Sequence, residues 1–524
     1  MSFSSRRRNY MLVPHRRDGL IEWMKSMLMH SFVLDALDST AEDTFSHFEM
    51  LIEEYRKLSR EGAEQRSRLK ILVPTVGTFH TPLLLRRAFA AYNSKYGLTT
   101  RRHVCISFNE LRHILNLAQI MALSEFSSSC LTTESNIHDE MTSKENSRET
   151  ERTDLQKLHE SSPILSPLLS DITSVSASSS AAHPRFSSGS TEGFMGPSLI
   201  TFDGDQTLYS DGANFESNPV LANYLYLLLT HGVTVAVVTA AGYEYQAEKY
   251  ELRLSGLLRY FEENGLAAED CDRFYLMGGE CNYLLKLGSD FCLHPVKEWG
   301  PGGWLISTRH KNQTPGNWKD VDIQSLLNLA EDTMQESVED QKLRARIIRK
   351  KRSVGLIPIT ESVIPREALD ETVLRVQERL RNEEIPLPYC AFNGGRDCWV
   401  DVGNKSVGVN VLQSYLGLEP ERTLHIGDQF LHTGNDFAAR SVCPCVWITS
   451  PEETTYILKS ILRLAGVRTD DHARKDSFSF LDMREGDDDK NNNKEKDCLL
   501  DFSESTRRSM VMDVYTGQMI EKSS

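Results

Sequence analysis

The sequence predicts an α/β protein whose parallel sheet is buried on both faces and is preceded by a helical module. Four short apolar runs, each followed by a loop rich in Asp, Gly, Thr or Ser, are Leu199–Phe202, Val233–Val238, Thr423–Ile426 and Val446–Ile448. Helical patterns such as Val220–Leu229 lie between them, and this alternation is typical of buried parallel strands joined by helices. Ligands gather at the carboxyl ends of such strands, where the polar loops of this chain lie.

The composition excludes two classes of partner. The 524 residues carry a formal net charge of −15, and an acidic surface attracts neither nucleic acid nor an anionic membrane. Ten cysteines occur without a CxxC pair, which favours reduced thiols in a cytoplasmic protein. No apolar run approaches the roughly 20 residues that a membrane span needs. We therefore expect a cytoplasmic protein that binds phosphate only at a local positive site.

The chain divides by composition into a helical start, a polar insertion, a mixed α/β part and a polar tail. Residues 1–126 show helical periodicity, for example at Phe45–Leu58 and Phe108–Leu123. Residues 127–197 are rich in Ser, Thr, Glu and Asn, and residues 466–524 form an acidic tail. Because such segments cannot bury enough apolar surface to offset their chain entropy, we expect both to be disordered.

Two carboxylates follow the first predicted strand directly. Asp203 and Asp205 stand in the sequence Asp-Gly-Asp-Gln-Thr at the end of Leu199–Phe202. One carboxylate can attack phosphorus while the other gives a proton to the leaving oxygen, and both suit a hard cation such as Mg²⁺. Asp-Gly-Asp is also common in surface turns, so this segment alone leaves a turn as the alternative.

Three further loops carry groups suited to phosphate chemistry. Thr239 follows the second predicted strand, where its hydroxyl and the next backbone N–H groups can bind a phosphoryl oxygen. Lys405 precedes an apolar helical pattern and can neutralise a phosphoryl group and a nucleophile together, although an exposed lysine at a helix start is the alternative. Asp428 follows a strand as a third magnesium carboxylate, and Asp436 can orient the metal's waters or Lys405.

These segments resemble the motifs of the haloacid dehalogenase superfamily and, more narrowly, the IMP-specific 5′-nucleotidase family. The segments that carry the narrower resemblance are Thr201–Gly212, Val238–Tyr243, Met277–Glu280, Phe392–Gly395, His425–Phe430, Val73–Phe79 and Ser107–Leu115. The likeness covers the chain from about Arg16 to Leu464, without the Ser-rich insertion. It implies a haloacid dehalogenase-like Rossmannoid parallel sheet with an inserted α+β cap domain and a helical N-terminal module.

The resemblance implies that Asp203 forms a phospho-aspartate and that Asp205 protonates the ribose 5′-oxygen and later activates water. It implies Mg²⁺ held by Asp203, Asp428 and, mainly through its backbone carbonyl, Asp205. The candidates for substrate contact are Asp205, Asp211, Thr239, Arg396, Asp397 and Lys405. The expected reaction is hydrolysis of inosine 5′-monophosphate (IMP) to inosine and phosphate, within purine nucleotide and nicotinamide nucleoside metabolism.

The resemblance also implies domain boundaries. A cap over residues 288–388 would interrupt a catalytic core formed by residues 198–287 and 389–465. Such a cap excludes water and recognises the base, and its tryptophans would be Trp299, Trp304 and Trp318. Within the cap we expect a helix that carries basic residues from Arg344 to Arg352. This basic run either steers an anionic substrate or forms a solvated helix face.

Two further implications concern assembly and regulation. The family is associated with a homotetramer and with ATP as an allosteric activator that acts through the N-terminal module. Lys25, Arg112 and His113 are the candidates for that ATP site. Periodicity and composition alone do not point to a nucleotide there.

Two other functions remain open from the residues alone. A haloacid dehalogenase-type sugar-phosphate phosphatase or a phosphomutase would use the same acidic pair, because that pair serves phosphate monoesters generally. A catalytically silent nucleotide sensor would need only the sheet. The presence of Asp203, Asp205, Lys405 and Asp428 together speaks against a site that only binds.

Overall fold

The first described residues form a helical module that packs against one edge of the main sheet. The computed structural model describes residues 18–33, 37–100, 106–126, 194–216, 218–296, 318–359, 362–469, 511–512 and 519–520. The helices of the module are α1 (Gly19–Val33), α2 (Leu37–Arg60), α3 (Arg68–Leu72), α4 (Leu85–Tyr96) and α5 (108–126). The helices predicted within the first 126 residues are therefore present.

Local sequence signals start these helices. Asp18 begins α1, because its Oδ1 accepts hydrogen bonds from the backbone N–H groups of Leu20 and Ile21, both at 3.1 Å. Ser107 and Glu110 form a reciprocal capping box at the start of α5. The buried face of α2 repeats at helical spacing and comprises Phe45, Phe48, Leu51, Ile52 and Tyr55.

Strands and helices then alternate along the chain, as the sequence predicts. The first part of the core contains β1 (Leu199–Phe202), α6 (Pro219–Thr230), β2 (Thr234–Val238), α7 (Ala247–Arg253), α8 (Ser255–Glu263), α9 (Ala268–Cys271), β3 (Phe274–Gly278), β4 (Tyr283–Leu287) and β5 (Leu293–Pro295). The cap follows with α10 (Asp320–Gln341), β6 (Ala345–Arg349), β7 (Ser353–Pro358), α11 (Arg366–Asn382), β8 (Tyr389–Asn393) and β9 (Cys398–Val402). The core ends with α12 (Lys405–Leu416), β10 (Thr423–Gly427), β11 (Cys445–Trp447) and α13 (Pro451–Leu464).

The main sheet is parallel where the predicted functional loops lie. Its seven strands run in the order β11-β10-β1-β2-β3-β4-β5; the pairs from β11 to β3 are parallel, whereas β4 and β5 pair antiparallel. Alternate residues of β1 enter different apolar clusters, Ile200 and Phe202 on one face and Leu199 on the other. The predicted α/β fold with a buried parallel sheet is thus confirmed, and the carboxyl ends of β1, β2 and β10 lie side by side.

The cap is larger at its C-terminal end than predicted. Its four strands run in the order β6-β7-β9-β8 with antiparallel pairing, so residues 389–402 belong to the cap sheet and the core resumes at α12. At the other boundary β5 pairs with β4, which keeps residues 288–295 in the core sheet. The predicted cap limits of 288–388 are therefore wrong, because apolar runs do not show which sheet a strand joins.

The basic run of the cap is a hairpin and not the predicted helix. β6 pairs with β7 from Ala345↔Pro358 to Arg349↔Val354, and residues 350–352 connect the two strands. The physical reason is a period of two, since the exposed Arg344 and Arg346 flank the buried Ala345. Because most residues of this run are charged, the alternation of a strand is not visible as an apolar pattern in the sequence.

The predictions for the polar segments fall mostly outside the described residues, as do Trp299 and Trp304. Residues 194–197 of the predicted insertion are described, and Phe194 packs against the core. In the predicted disordered tail, β12 (Val511–Met512) pairs antiparallel with β13 (Met519–Ile520), which corrects the prediction for those residues. Within the described part of the chain, no helix is both long and apolar enough to cross a membrane.

A buried ion pair joins the helical module to the core. Arg112 on α5 donates to both carboxylate oxygens of Glu453 on α13, at 2.8 and 3.0 Å, and both side chains are 2% exposed. Burial would raise the pKa of Glu453, but hydrogen bonds from His113 and Arg112 outweigh burial and lower it. Arg112 and His113, predicted as ATP contacts, therefore lie at this joint, where Glu453 already neutralises Arg112.

We expect Glu453→Gln to destabilise the protein by about 3 to 5 kcal/mol, because it leaves the buried Arg112 without its counter-charge. The matched control is Glu336→Gln, which breaks an exposed pair with Arg379 and should cost less than about 1 kcal/mol. Urea denaturation at pH 7 measures both free energies of unfolding. Equal losses in the two variants would show that the Arg112–Glu453 pair contributes no more than a surface pair.

Candidate active site

Asp203 lies at the carboxyl end of β1 with its carboxylate held in place. Its backbone N–H donates to the Ile426 carbonyl at 2.9 Å and so extends the pairing of β1 with β10. Among the described residues, Gly204 N and Lys405 Nζ contact the same carboxylate oxygen, Oδ1, at 2.7 and 2.8 Å. Burial raises the pKa of Asp203 to about 7, against the opposing charge of Lys405. No hydrogen bond of the described residues reaches the other oxygen, Oδ2.

Lys405 is the first residue of α12 and is completely buried. Its Nζ lies 2.5 Å from Asp436 Oδ1 in addition to Asp203. Burial alone would lower the pKa of Lys405, but the charges of Asp203 and Asp436 outweigh it and raise the pKa. Lys405 is therefore a permanent cation at this site.

Asp436 is a fixed anion that orients Lys405. His425 Nε2 donates to its Oδ1 at 2.9 Å, and Gln429 N donates to its Oδ2 at 2.8 Å. The Thr201 hydroxyl lies 2.8 Å from His425 Nδ1 and donates to it, since Nε2 carries the ring proton. Burial would raise the pKa of Asp436, but the charge of Lys405 and the hydrogen bond from His425 lower it.

Asp428 has the properties of a metal ligand. One oxygen each from Asp203, Asp428 and Asp436 lie within 4.8 Å of one another. Both oxygens of Asp436 already accept hydrogen bonds, whereas Asp428 Oδ1 is buried without a hydrogen-bond partner among the described residues. Burial and then the charge of Asp203 raise the pKa of Asp428 well above its usual range. A divalent cation between Asp203 and Asp428 would satisfy that oxygen and offset the repulsion, so these residues fit Mg²⁺.

Asp205 faces a different partner. Arg253 on α7 donates to both of its carboxylate oxygens, at 2.8 and 2.9 Å, and Gly212 N donates to Oδ1 at 2.9 Å. The guanidinium of Arg253 also stacks on the Tyr209 ring, 4.9 Å from its centroid. The carboxylate of Asp205 therefore lies beside the carboxylate cluster and not within it.

A cavity of about 820 Å³ lies between this edge of the core sheet and the cap. The core supplies Asp203, Asp205, Thr239 and Asp428 to its wall. The cap supplies four cations and two aromatic rings, namely Lys350, Lys351, Arg352, Arg366, Phe392 and Trp399. The volume is in the range of small-molecule sites, and the arrangement suits an anionic ligand whose phosphate reaches the carboxylates.

The comparison with known proteins decides the family. A family model described as IMP-specific 5′-nucleotidase matches residues 2–458. The chain belongs to this family. The IMP-specific 5′-nucleotidase 1 of Plasmodium falciparum (isolate 3D7) is 34% identical over 463 residues, covering 86% of this chain and 84% of the relative. The enzyme of the same name from Yarrowia lipolytica is 34% identical over 478 residues, covering 86% and 96%.

Solved structures of IMP-specific 5′-nucleotidases share this fold. An IMP-bound mutant of the Plasmodium falciparum IMP-nucleotidase aligns with a TM-score of 0.66 and 32% identity, covering 88% of this chain and 98% of that chain. The ATP-bound form of the same protein aligns with a TM-score of 0.62 and 34% identity, covering 85% of each chain. The family resemblance carried by the sequence motifs is confirmed.

The structure brings most of the predicted site residues of this nucleotidase together. The predicted residues that line the cavity are Asp203, Asp205, Asp211, Thr239, Asp397 and Asp428. Lys405 lies buried behind Asp203. Arg396 is exposed in the β8–β9 turn, between Gly395 and Asp397 of the cavity wall. Lys25 is partly exposed on α1 in the helical module.

Three residues at or near the site, Arg253, His425 and Glu280, had no predicted role. Arg253 pairs with Asp205 from 48 positions away, and nothing in the helix around it distinguishes this arginine from a surface residue. His425 has a signal, because a histidine inside an otherwise apolar buried strand must find a polar partner. Glu280 is a buried acid with a φ of +50°, and burial raises its pKa to about 8.

We expect the protein to bind Mg²⁺ directly and Asp428→Asn to weaken that binding by about tenfold or more, because the change removes a charged ligand. Isothermal titration of Mg²⁺ into the full chain measures the affinity without substrate. Asp332→Asn is the matched control, since Asp332 is exposed on α10. If Asp428→Asn binds Mg²⁺ as tightly as the unaltered chain, Asp428 is not a metal ligand.

Proposed function

We propose that this protein is a magnesium-dependent IMP-specific 5′-nucleotidase that hydrolyses IMP to inosine and phosphate. The observation that carries the proposal is Asp203 at the end of β1, held by Lys405 at 2.8 Å. It lies next to Asp428, whose Oδ1 has no hydrogen-bond partner among the described residues. A site that only binds a nucleotide needs no buried carboxylate facing the phosphate, because two anions repel. The family membership and the IMP-bound relative support the choice of substrate.

The reaction we propose proceeds in two steps at Asp203. Asp203 Oδ2 attacks phosphorus, the bond to the ribose 5′-oxygen breaks, and Asp205 gives its proton to that oxygen, which releases inosine. Water then attacks the phospho-aspartate, Asp205 accepts a proton from the water, and the P–O bond to Asp203 breaks to release phosphate. Arg253 holds the Asp205 carboxylate at 2.8 Å. For both proton transfers this carboxylate leaves Arg253 and contacts the reacting oxygen instead.

The surrounding residues bind the phosphoryl group and the nucleoside. We propose that Thr239 and Lys405 hold phosphoryl oxygens. We further propose that Asp211, Arg396 and Asp397 contact the nucleotide. Asp203 and Asp428 would hold Mg²⁺ through their carboxylates, and Asp205 would do so through its backbone carbonyl. When bound, Mg²⁺ supplies positive charge that offsets the negative charge of the phosphoryl oxygens. The cap rings Phe392 and Trp399 provide apolar surface for a purine.

Regulation, assembly and location extend the proposal. We propose ATP as an allosteric activator, supported by the ATP-bound relative, and a cytoplasmic homotetramer as the working form. Lys25, Arg112 and His113 remain our candidates for the ATP contacts. Because Arg112 is paired with Glu453 at 2.8 Å, a phosphate of ATP that reached Arg112 would compete with Glu453.

We expect magnesium-dependent phosphate release from IMP, with much slower release from AMP, sugar phosphates and p-nitrophenyl phosphate, and none in EDTA. The measurement is phosphate release across this panel with the full chain. Comparable rates for sugar phosphates would contradict IMP specificity but would agree with the proposed phosphate hydrolysis. Isomerised sugar phosphate without free phosphate would indicate a mutase, and absence of turnover would favour a nucleotide sensor.

We expect Asp203→Asn to reduce kcat by at least about 10⁴-fold, because an amide cannot form the phospho-aspartate. The folded state should be at least as stable, since the change removes a buried carboxylate that burial already disfavours. Steady-state kinetics and thermal unfolding of the same preparation separate the two effects. The control is Asp332→Asn, the same chemical change at an exposed cap residue. Near-normal turnover in Asp203→Asn would remove this residue as nucleophile.

A further inference from the structure

Trp447 connects the helical module to the loop that carries Asp428. It ends β11, the strand at one edge of the main sheet, and it lines both the active-site cavity and a smaller cavity of about 120 Å³ at the module. Its indole Nε1–H donates to the backbone carbonyl of Asp428 at 2.8 Å. Gly427, the last residue of β10, is paired with Trp447 in the sheet. The indole hydrogen bond therefore extends the contact between β11 and β10 to Asp428, the residue after β10.

Asn116 on α5 occupies the place of a neighbouring strand at this edge. Its Nδ2 donates to the Trp447 carbonyl at 2.6 Å, and the Trp447 N–H donates to its Oδ1 at 3.1 Å. A residue of an adjacent strand would make the same two hydrogen bonds, so the Asn116 amide satisfies the edge at this point. Arg112 adds a second donor to the Trp447 carbonyl at 2.7 Å. The helical module therefore holds both the backbone N–H and the backbone carbonyl of Trp447.

The indole ring also contacts one aromatic ring of the module and one of the Asp428 loop. Phe108 of α5 meets it edge-on, with ring centroids 5.7 Å apart. Phe430, two residues beyond Asp428 in the same loop, lies 6.4 Å away in the same type of contact. The ring cannot rotate away from the Asp428 carbonyl without disturbing the module, the loop, or both.

The position of the Asp428 side chain depends on its backbone, because the described residues make no hydrogen bond to one of its carboxylate oxygens. Asp428 Oδ1 is buried without a hydrogen bond among the described residues. A ligand that is not held by its own side-chain contacts depends on the position of its main chain. Mg²⁺ requires near-ideal octahedral geometry, so a small shift of this loop weakens metal binding.

We propose that Asn116 and Trp447 are positioning residues for the Mg²⁺ site, through which the helical module sets the place of Asp428. The inference rests on the metal site of the proposed function. A merely structural role for the two residues would lower stability and leave the Mg²⁺ affinity unchanged.

The test is the Mg²⁺ affinity of Trp447→Phe, measured by isothermal titration without substrate on the full chain. This change keeps an aromatic ring and removes the donor to Asp428, and we expect about tenfold weaker binding. Trp23→Phe is the matched control, since Trp23 packs against Phe48 within the helical module, and its affinity should not change. Thermal unfolding of each variant reports stability separately.

Asn116→Leu and the double variant test the connection itself. Asn116→Leu keeps the size of the side chain and removes both hydrogen bonds to Trp447, so it too should weaken Mg²⁺ binding. In the Trp447→Phe background the same change should have little further effect, because the contribution of Asn116 reaches the metal through the indole. Independent, additive losses would overturn the inference. If Trp447→Phe does not fold, the Mg²⁺ affinity of Asn116→Leu is compared with that of the unaltered chain instead.

The outcomes separate this inference from the proposed function. If the unaltered chain binds no Mg²⁺, the proposed metal site fails, and the inference with it. If the unaltered chain binds Mg²⁺ and both single variants bind it equally well, only the positioning role is overturned. Weaker binding in both variants with unchanged binding in Trp23→Phe supports it.

Discussion

A single buried cation, Lys405, holds together the acidic groups of the site. Its Nζ contacts Asp203 at 2.8 Å and Asp436 at 2.5 Å, and Glu280 adds a further negative influence. Without this charge the carboxylates would have to be neutral to remain buried, since isolated buried charges are strongly disfavoured. Electrostatic attraction therefore adds to apolar packing in holding α12 beside the end of β1. Burial raises the pKa values of Asp203 and Asp428, and the charge of Lys405 does not fully offset it. The site therefore suits a divalent cation.

Charge is distributed unevenly over the molecule. The chain as a whole carries a net charge of −15, yet the cap presents Lys350, Lys351, Arg352 and Arg366 to the cavity. These cations form a local positive region in a cavity wall that also carries carboxylates, among them Asp397 and Asp401 of the cap. The hairpin geometry produces this local field, because residues 350–352 connect two paired strands at the cavity wall. A helix over the same residues would spread these charges around its axis.

The sequence was sufficient for the parts of the site that follow a repeated pattern. Asp203, Thr239 and Asp428 each follow a strand directly, and parallel strands place such residues at one edge, so their convergence could be predicted. The pairing of Asp205 with Arg253 could not, because it depends on how α7 packs and not on any local signal. The cap boundary was missed for a related reason, since β8 and β9 have the same apolar character as core strands and only their partners assign them. Arg112 and His113 were proposed as ATP contacts because they lie in the family-like segment Ser107–Leu115, and no sequence pattern there predicts their contacts with the buried Glu453.

The order of the strands has a consequence for protein synthesis. β1 occupies the centre of the sheet, but its neighbour β10 lies more than 200 positions later, with Leu199 paired to Thr423. The cap between them has an apolar core of its own and can become compact while β1 still lacks this neighbour. A nascent chain therefore carries Asp203 long before Lys405 and Asp428 leave the ribosome. Until that happens the polypeptide contains Asp203 without Lys405 and Asp428, so this carboxylate has neither the cation nor the second carboxylate that lie beside it in the folded site.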